Sequence, residues 1–150
     1  MKIHPAAITA QLPHRYELRV YYEDTDAGGI VYHAAYLRFA ERARTEALRA
    51  LGVPHAALVR EHQRMFVVRR AELDYLRPAR LDERLAVLSG ETWLGAASAR
   101  LRQDVVGEGG VCVTAVIDLA CVQTETGRPA RIPPAWREAL QQLRAPAAPE

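Results

Sequence analysis

One stretch of this chain repeats its apolar residues with the period of a helix, and it stands among segments that repeat with the period of a strand. Across residues 33–51, Tyr36, Phe39, Ala40, Ala43, Ala47 and Leu51 fall on one stripe, with Glu41, Arg42, Thr45, Glu46 and Arg49 mostly opposite. Gly52 and Pro54 then supply an end to that helix. Before it, residues 15–23 alternate as a strand does: Tyr16, Leu18, Val20 and Tyr22 share one face, and Arg15, Glu17, Arg19 and Tyr21 the other. After it come a short helical or irregular piece over 54–62 and four strand-like segments at about 65–76, 84–94, 98–106 and 111–123. The run Gly107-Glu108-Gly109-Gly110 reads as a hairpin turn between the last two. The final strand is apolar on both faces, with Val113, Ala115 and Ile117 against Val116, Ala120 and Val122, which predicts cover on both sides. Residues 134–143 open on a proline and predict a closing helix. One long amphipathic helix with about five strands is an α+β layout, in which the helix buries its stripe against the apolar face of an antiparallel sheet.

Chain length and charge narrow the function classes. At 150 residues the chain is expected to be a single domain, with residues 1–13 and 145–150 as loosely ordered ends. Net charge is +2 and the arginines are scattered, so no dedicated nucleic-acid surface is expected. Lys2 is the sole lysine, which leaves phosphate or carboxylate ligands to the donor forks of arginine. The two cysteines, Cys112 and Cys121, are separated by an odd number of residues in one strand, which predicts opposite faces and no pairing. Free thiols suit a reducing compartment. Residues 1–13 lack the apolar core of a signal peptide, and no apolar run reaches the length of a membrane span. These features predict a cytoplasmic protein whose contact with a membrane goes no further than peripheral association. No histidine or cysteine spacing predicts a metal site, and no cofactor is expected.

The chemistry is concentrated between the first strand and the long helix, in Tyr22-Glu23-Asp24-Thr25-Asp26-Ala27-Gly28-Gly29-Ile30-Val31-Tyr32-His33. Such a junction points free backbone N–H groups outward at the first helical turn, and the helix dipole adds partial positive charge there. Donors so placed stabilise an oxygen that becomes negative during acyl transfer. Gly28 and Gly29 let the backbone approach a substrate without a Cβ clash. A carboxylate held near an electrophilic carbonyl can deprotonate water or attack directly. Turn and cap roles for the same Asp and Gly residues stay open on the residues alone. A calcium loop is excluded, because Gly28 and Ala35 stand where oxygen ligands would be required.

The segment resembles the YbgC-type acyl-CoA thioesterases of the hotdog superfamily and, less closely, the 4-hydroxybenzoyl-CoA thioesterases. Tyr22, Asp24-Thr25-Asp26, Gly29, Val31-Tyr32-His33, Tyr36, Phe39 and Glu41-Arg42-Ala43-Arg44 carry the resemblance, with Tyr75, Pro78-Ala79 and Leu81-Asp82 beyond them. The resemblance extends over roughly residues 15–132. It implies a hotdog fold, a long central helix wrapped by the sheet, and hydrolysis of an acyl-CoA thioester to free acid and thiol. It further implies Asp26 as the catalytic carboxylate and the backbone N–H of His33 as the group that polarises the thioester carbonyl. Gly29 and Tyr32 are expected at the substrate, with Asp24 supporting the turn. Arg69 and Arg70 are the candidates for the CoA phosphates, with Arg77 and Arg80 behind them. The arginine pair that 4-hydroxybenzoyl-CoA thioesterases carry near their third strand has no counterpart around Gly95-Ala96-Ala97. Acyl carrier protein is a second source of thioester. The resemblance also implies a homodimer or homotetramer with sites between subunits. Two rival readings stay open: a hotdog dehydratase, and a non-catalytic module that binds acyl-CoA or acyl carrier protein.

Overall fold

The computed structural model describes residues 9–146. Five strands, β1 (His14–Arg19), β2 (Arg64–Tyr75), β3 (Arg84–Leu94), β4 (Ser98–Gly107) and β5 (Gly110–Gln123), form one sheet in the order β1-β3-β4-β5-β2. Every neighbouring pair is antiparallel. Three helices lie wholly within the described residues: α1 (Ala35–Ala50), α2 (His55–His62) and α3 (Pro134–Gln142). The expected α+β arrangement of a long helix against a five-stranded antiparallel sheet is therefore the one found.

The stripe read from the sequence is the face α1 buries. Tyr36, Phe39, Ala40, Ala43 and Ala47 are all buried, with Phe39 and Ala43 at zero exposure. The alanines let the helix backbone lie close to the sheet, while Phe39 fills the gap between them. Truncating so enclosed a ring costs about 3–5 kcal/mol. Two core clusters result. One gathers Val20, Val31, Tyr36, Phe39, Val87 and Val113 around the start of α1. The other gathers Leu48, Leu58, Leu101, Ile117, Trp136 and Leu140 around its far end. Gly52, at φ +82°, ends α1 as expected, and the Val53 N–H closes back on the Leu48 carbonyl at 3.0 Å.

Three sequence expectations are corrected. The first strand stops at Arg19 and does not run to Glu23. The Asp24 carboxylate accepts the Tyr21 N–H at 2.9 Å and bends Tyr22–Asp24 into one 3-10 turn, which throws Tyr22 out to 82% exposure. Cys112 and Cys121 do not face opposite sides. Register slips between Val105↔Val113 and Val106↔Val111, so Cys112 is the extra residue of a bulge. It joins Val113 in one core cluster, and Cys121 is buried in the other. Finally, β5 is covered on both faces only near its end, where Ala120 and Val122 are buried. Thr114, Val116 and Asp118 are half-open on the outer face.

Both terminal segments cross β3 at Gly90. A Cβ there would stand 2.9 Å from Pro13 Cδ and 3.0 Å from both Leu12 Cδ2 and Ala145 Cβ, so glycine is required by the crossing. The expectation of loose ends is therefore corrected for residues that are described. Leu12 is buried, and Thr9 Oγ1 donates to Asp104 at 2.6 Å. The Ala145 N–H reaches the Glu91 carbonyl at 2.8 Å. The rest of that expectation falls on 1–8 and 147–150, outside the described residues.

Candidate active site

The Asp24–Val31 loop is built almost entirely from its own backbone. The Tyr32 N–H donates to the Asp24 carbonyl at 2.8 Å, and Thr25 pairs with Val31 as an isolated bridge. Inside that frame the Asp26 N–H donates to the Ile30 carbonyl at 2.9 Å, and the Gly29 N–H returns to the Asp26 carbonyl at 3.1 Å. Gly29 takes φ +78°, a conformation that costs a side-chain-bearing residue roughly 1–2 kcal/mol. The loop is then stitched to the segment after β2: the Val31 N–H meets the Ala79 carbonyl at 2.9 Å, and Ile30 pairs with Arg80.

The two aspartates divide their labour. Asp24 is 5% exposed; its carboxylate caps the Tyr21 N–H and stands 4.0 Å from Arg38 Nη2. Asp26 is exposed, and among the described residues its Oδ1 accepts only the Gly28 N–H, at 2.8 Å. A Cβ on Gly28 would lie 3.2 Å from that same oxygen, so glycine keeps the carboxylate uncrowded. Among the described residues no cation forms an ion pair with Asp26.

His33 sits in the turn before α1, whose first turn has no capping side chain. Its N–H meets no protein acceptor among the described residues. Its carbonyl accepts the Tyr75 hydroxyl at 2.8 Å. The Tyr75 ring packs edge-on toward both His33 and Tyr36, at 6.5 and 5.8 Å between centroids. The Tyr36 hydroxyl in turn accepts the Ala79 N–H at 3.2 Å, and burial pushes that phenol's pKa up. Asp26 and His33 line one recess of about 340 Å³ with Ile30, Tyr36, Tyr75 and Arg77.

The expected site residues thus separate. Asp26 and His33 share the recess, whereas Gly29 serves it through the turn alone. Tyr32 is not part of the wall; its N–H is tied to Asp24, and its ring, 44% exposed, packs edge-on against His33 at 4.5 Å. Arg69 and Arg70 border a different cavity, of about 480 Å³, with Trp93, Arg100 and Asp118. A bulge at Arg69 lies between Val68 and Arg70, and within one chain neither arginine reaches the Asp26 recess. The cation that does line the recess is Arg77, paired with Glu83 at 3.7 Å. Tyr36 and Tyr75 are walls that were assigned no role from sequence, although both lie in the segments that carried the resemblance. Among the described residues, no three histidine, cysteine, aspartate or glutamate side chains are grouped to hold a metal ion.

This loop, with its open carboxylate before a long helix, has relatives. The family model of the thioesterase-like superfamily matches residues 20–140. The chain belongs to the thioesterase-like superfamily. It is 39% identical over 129 residues to the acyl-CoA thioesterase YbgC of Haemophilus influenzae, covering 86% of this chain and 95% of that one. It is 42% identical over 120 residues to the acyl-CoA thioester hydrolase YbgC of Escherichia coli, covering 79% and 89%. Among solved structures, a probable thioesterase from Bartonella henselae superposes with a TM-score of 0.76 at 36% identity, covering 80% of this chain and 98% of that one. A 1,4-dihydroxy-2-naphthoyl-CoA thioesterase from Synechocystis shares the fold at a TM-score of 0.80 and 22% identity, covering 87% and 96%. The hotdog fold implied by the motif is therefore the fold of this superfamily.

Proposed function

We propose that this chain hydrolyses acyl-CoA thioesters, with the Asp26 carboxylate and the His33 N–H as its working groups. The carrying observation is the recess in which an acceptor-only carboxylate without an ion-pair partner lies near a backbone N–H without an acceptor. The thioester carbonyl oxygen takes the His33 N–H, helped by the partial charge at the start of α1. Asp26 takes a proton from water as the hydroxyl adds to the carbonyl carbon. The C–S bond then breaks, and the proton leaves with the thiolate. Direct attack by Asp26, through an anhydride that water later opens, uses the same groups. The Ala35 N–H donates to the Tyr32 carbonyl at 2.8 Å and restrains the peptide plane that carries the His33 N–H, while Tyr75 anchors the following plane through the His33 carbonyl.

Arg69 and Arg70, beside Trp93, suit phosphate groups of CoA delivered to a neighbouring subunit's recess. A homodimer or homotetramer is proposed on the bare outer edge of β2, twelve residues long, which a second copy would pair. Acyl carrier protein is an alternative thioester donor. A cytoplasmic setting is proposed on two buried, unpaired cysteines; no helix among the described residues is long and apolar enough to cross a membrane.

The test is thiol release from a panel of aliphatic and aromatic acyl-CoAs by the native chain and by Asp26→Asn. Turnover by the former and its loss in the latter, with the fold intact, is the expected result. A native protein inert on every thioester would sink the reading.

A further inference from the structure

The segment between β2 and β3 carries a carboxylate that the reaction above leaves unused. Glu83 stands immediately before β3, and its side chain is 10% exposed. Its Oε1 accepts the Arg80 N–H at 3.2 Å, and its Oε2 accepts the Glu108 N–H at 3.1 Å. Arg77 Nη1, 3.7 Å away, offsets the charge. A carboxylate drawn this far from water needs partners of that kind. A Cβ on Gly107 would collide with Oε2, so glycine there leaves the carboxylate its place beside the β4–β5 turn.

The turn that Glu83 closes is strained. The Glu83 N–H donates to the Arg80 carbonyl at 3.1 Å, and Asp82 between them takes φ +68°, where such a turn favours glycine. The Asp82 N–H on the Val20 carbonyl, at 3.0 Å, and the Val20 N–H on the Glu83 carbonyl, at 2.9 Å, hold it there. A residue in that conformation persists only where its surroundings over-determine it.

What the turn supports is the back of the Asp26 loop. Arg80 pairs with Ile30, and the Ala79 carbonyl takes the Val31 N–H at 2.9 Å. The Ile30 carbonyl in turn accepts the Asp26 N–H at 2.9 Å. Glu83, Arg80, Ile30 and Asp26 thus form one row, each fixed by the next. Among the described residues the Asp26 carboxylate itself has a single tie, the Gly28 N–H, so its place is set from behind.

We infer that Glu83 is a positioning residue for Asp26: its carboxylate locks the Arg80–Glu83 turn, which aligns Ile30 and through it the Asp26 backbone. The consequence for turnover rests on the reading of Asp26 given above, while the bracing of the loop does not. A catalytic group displaced by a fraction of an ångström loses much of its rate advantage.

Hydrogen exchange in the full chain tests the bracing directly. In Glu83→Ala the Asp26 and Gly29 amides, bonded to the Ile30 and Asp26 carbonyls, should exchange about tenfold faster than in the native chain. The amides of Val87 and Ile117, buried in β3 and β5, should keep their rates. Glu83→Gln retains one acceptor oxygen and should recover most of the protection. On whichever acyl-CoA the native chain hydrolyses, Glu83→Ala should lower kcat about tenfold with KM little moved, and Glu83→Gln should restore it. The acid limb of the pH profile should stay in place, because the effect is one of placement and not of charge. Should Glu83→Ala fail to fold, Gly107→Ala, which displaces the carboxylate without removing it, should accelerate the same two amides. A chain inert on every thioester that shows this exchange pattern loses the catalytic reading and keeps the bracing. Four results overturn the inference: unchanged exchange at Asp26 and Gly29, equal acceleration at Val87 and Ile117, no gain from Glu83→Gln over Glu83→Ala, or an active chain whose kcat is untouched or whose acid limb shifts instead.

Discussion

The two ends of α1 solve opposite electrostatic problems. At its start an anion stands in the open, and the loop around it is tied down by backbone bonds and by a different, buried aspartate. At its far end a cation is half-covered, surrounded by leucines and steered by a neutral amide. In the proposed reaction Asp26 meets water and a reacting carbonyl; such a group is best left uncommitted, and the rigidity it needs comes from neighbours. Arg44 is drawn inward, where the lower dielectric strengthens its hydrogen bond to Gln103. The adjacent aspartates show the first half of this rule at closest range. They are two residues apart, yet one is 5% exposed and doubly engaged while the other is open.

The largest expected effect tests that division directly. Asp26→Asn should lower kcat by roughly two to four orders of magnitude and leave the urea midpoint unchanged. Asp24→Ala should do the reverse in emphasis, lowering stability by about 1–2 kcal/mol through the lost cap. Little of that comes from Arg38, whose side chain is 58% exposed. If Asp24→Ala proves as inactive as Asp26→Asn while fully folded, the division between the two is broken. Next comes Tyr75→Phe, which releases the His33 carbonyl. The loss of about 1 kcal/mol should appear as roughly a fivefold fall in kcat with KM little moved.

The smallest effect belongs to the covered end. The pKa of His55 is lowered by burial and by Arg44, with Arg49 adding to this and Glu41 opposing. The unfolded chain therefore binds the proton more readily than the folded one. The stability this contributes is present above about pH 6.5 and drains away as pH falls below it. His14 behaves alike, its pKa lowered by burial against Glu46. Thermal midpoints across this range should fall on acidification, and His55→Gln should flatten part of that slope. An unchanged slope would show that the far end is wetter than its walls suggest.

Much of this was legible in the sequence, for reasons that particular residues make plain. The α1 stripe and four of the strands were visible because burial on one face writes a period into the chain. Asp26 and His33 were picked out through the resemblance that their segment carries, and the fold brings both to one recess. What failed was set by particular hydrogen bonds and registers that leave no period in the chain. The break after Arg19 depends on Asp24 outcompeting strand pairing for the Tyr21 N–H, and on Val20 docking against Glu83. The Cys112 bulge depends on register with β4, which no periodicity within β5 encodes. Tyr32 was assigned to the recess from its position in the motif, but its side chain follows a backbone bond that turns it outward. Arg69 and Arg70 were picked out as arginines suited to the CoA phosphates, and only the folded chain shows that they border a cavity other than the Asp26 recess.

Gly90 closes the account of the chain as a path. Leu12 and Ala145 both touch the spot its missing side chain would occupy, so the described polypeptide returns almost to where it began. A short linker between these neighbours would join the described ends into a circle, which could be reopened elsewhere. The glycine-rich turn between β4 and β5 is an exposed place to cut, and it lies outside the segments that build the Asp26 recess. A rearranged gene of that kind would keep every hydrogen bond of the Asp24–Val31 loop while exchanging which half of the sheet emerges first from the ribosome.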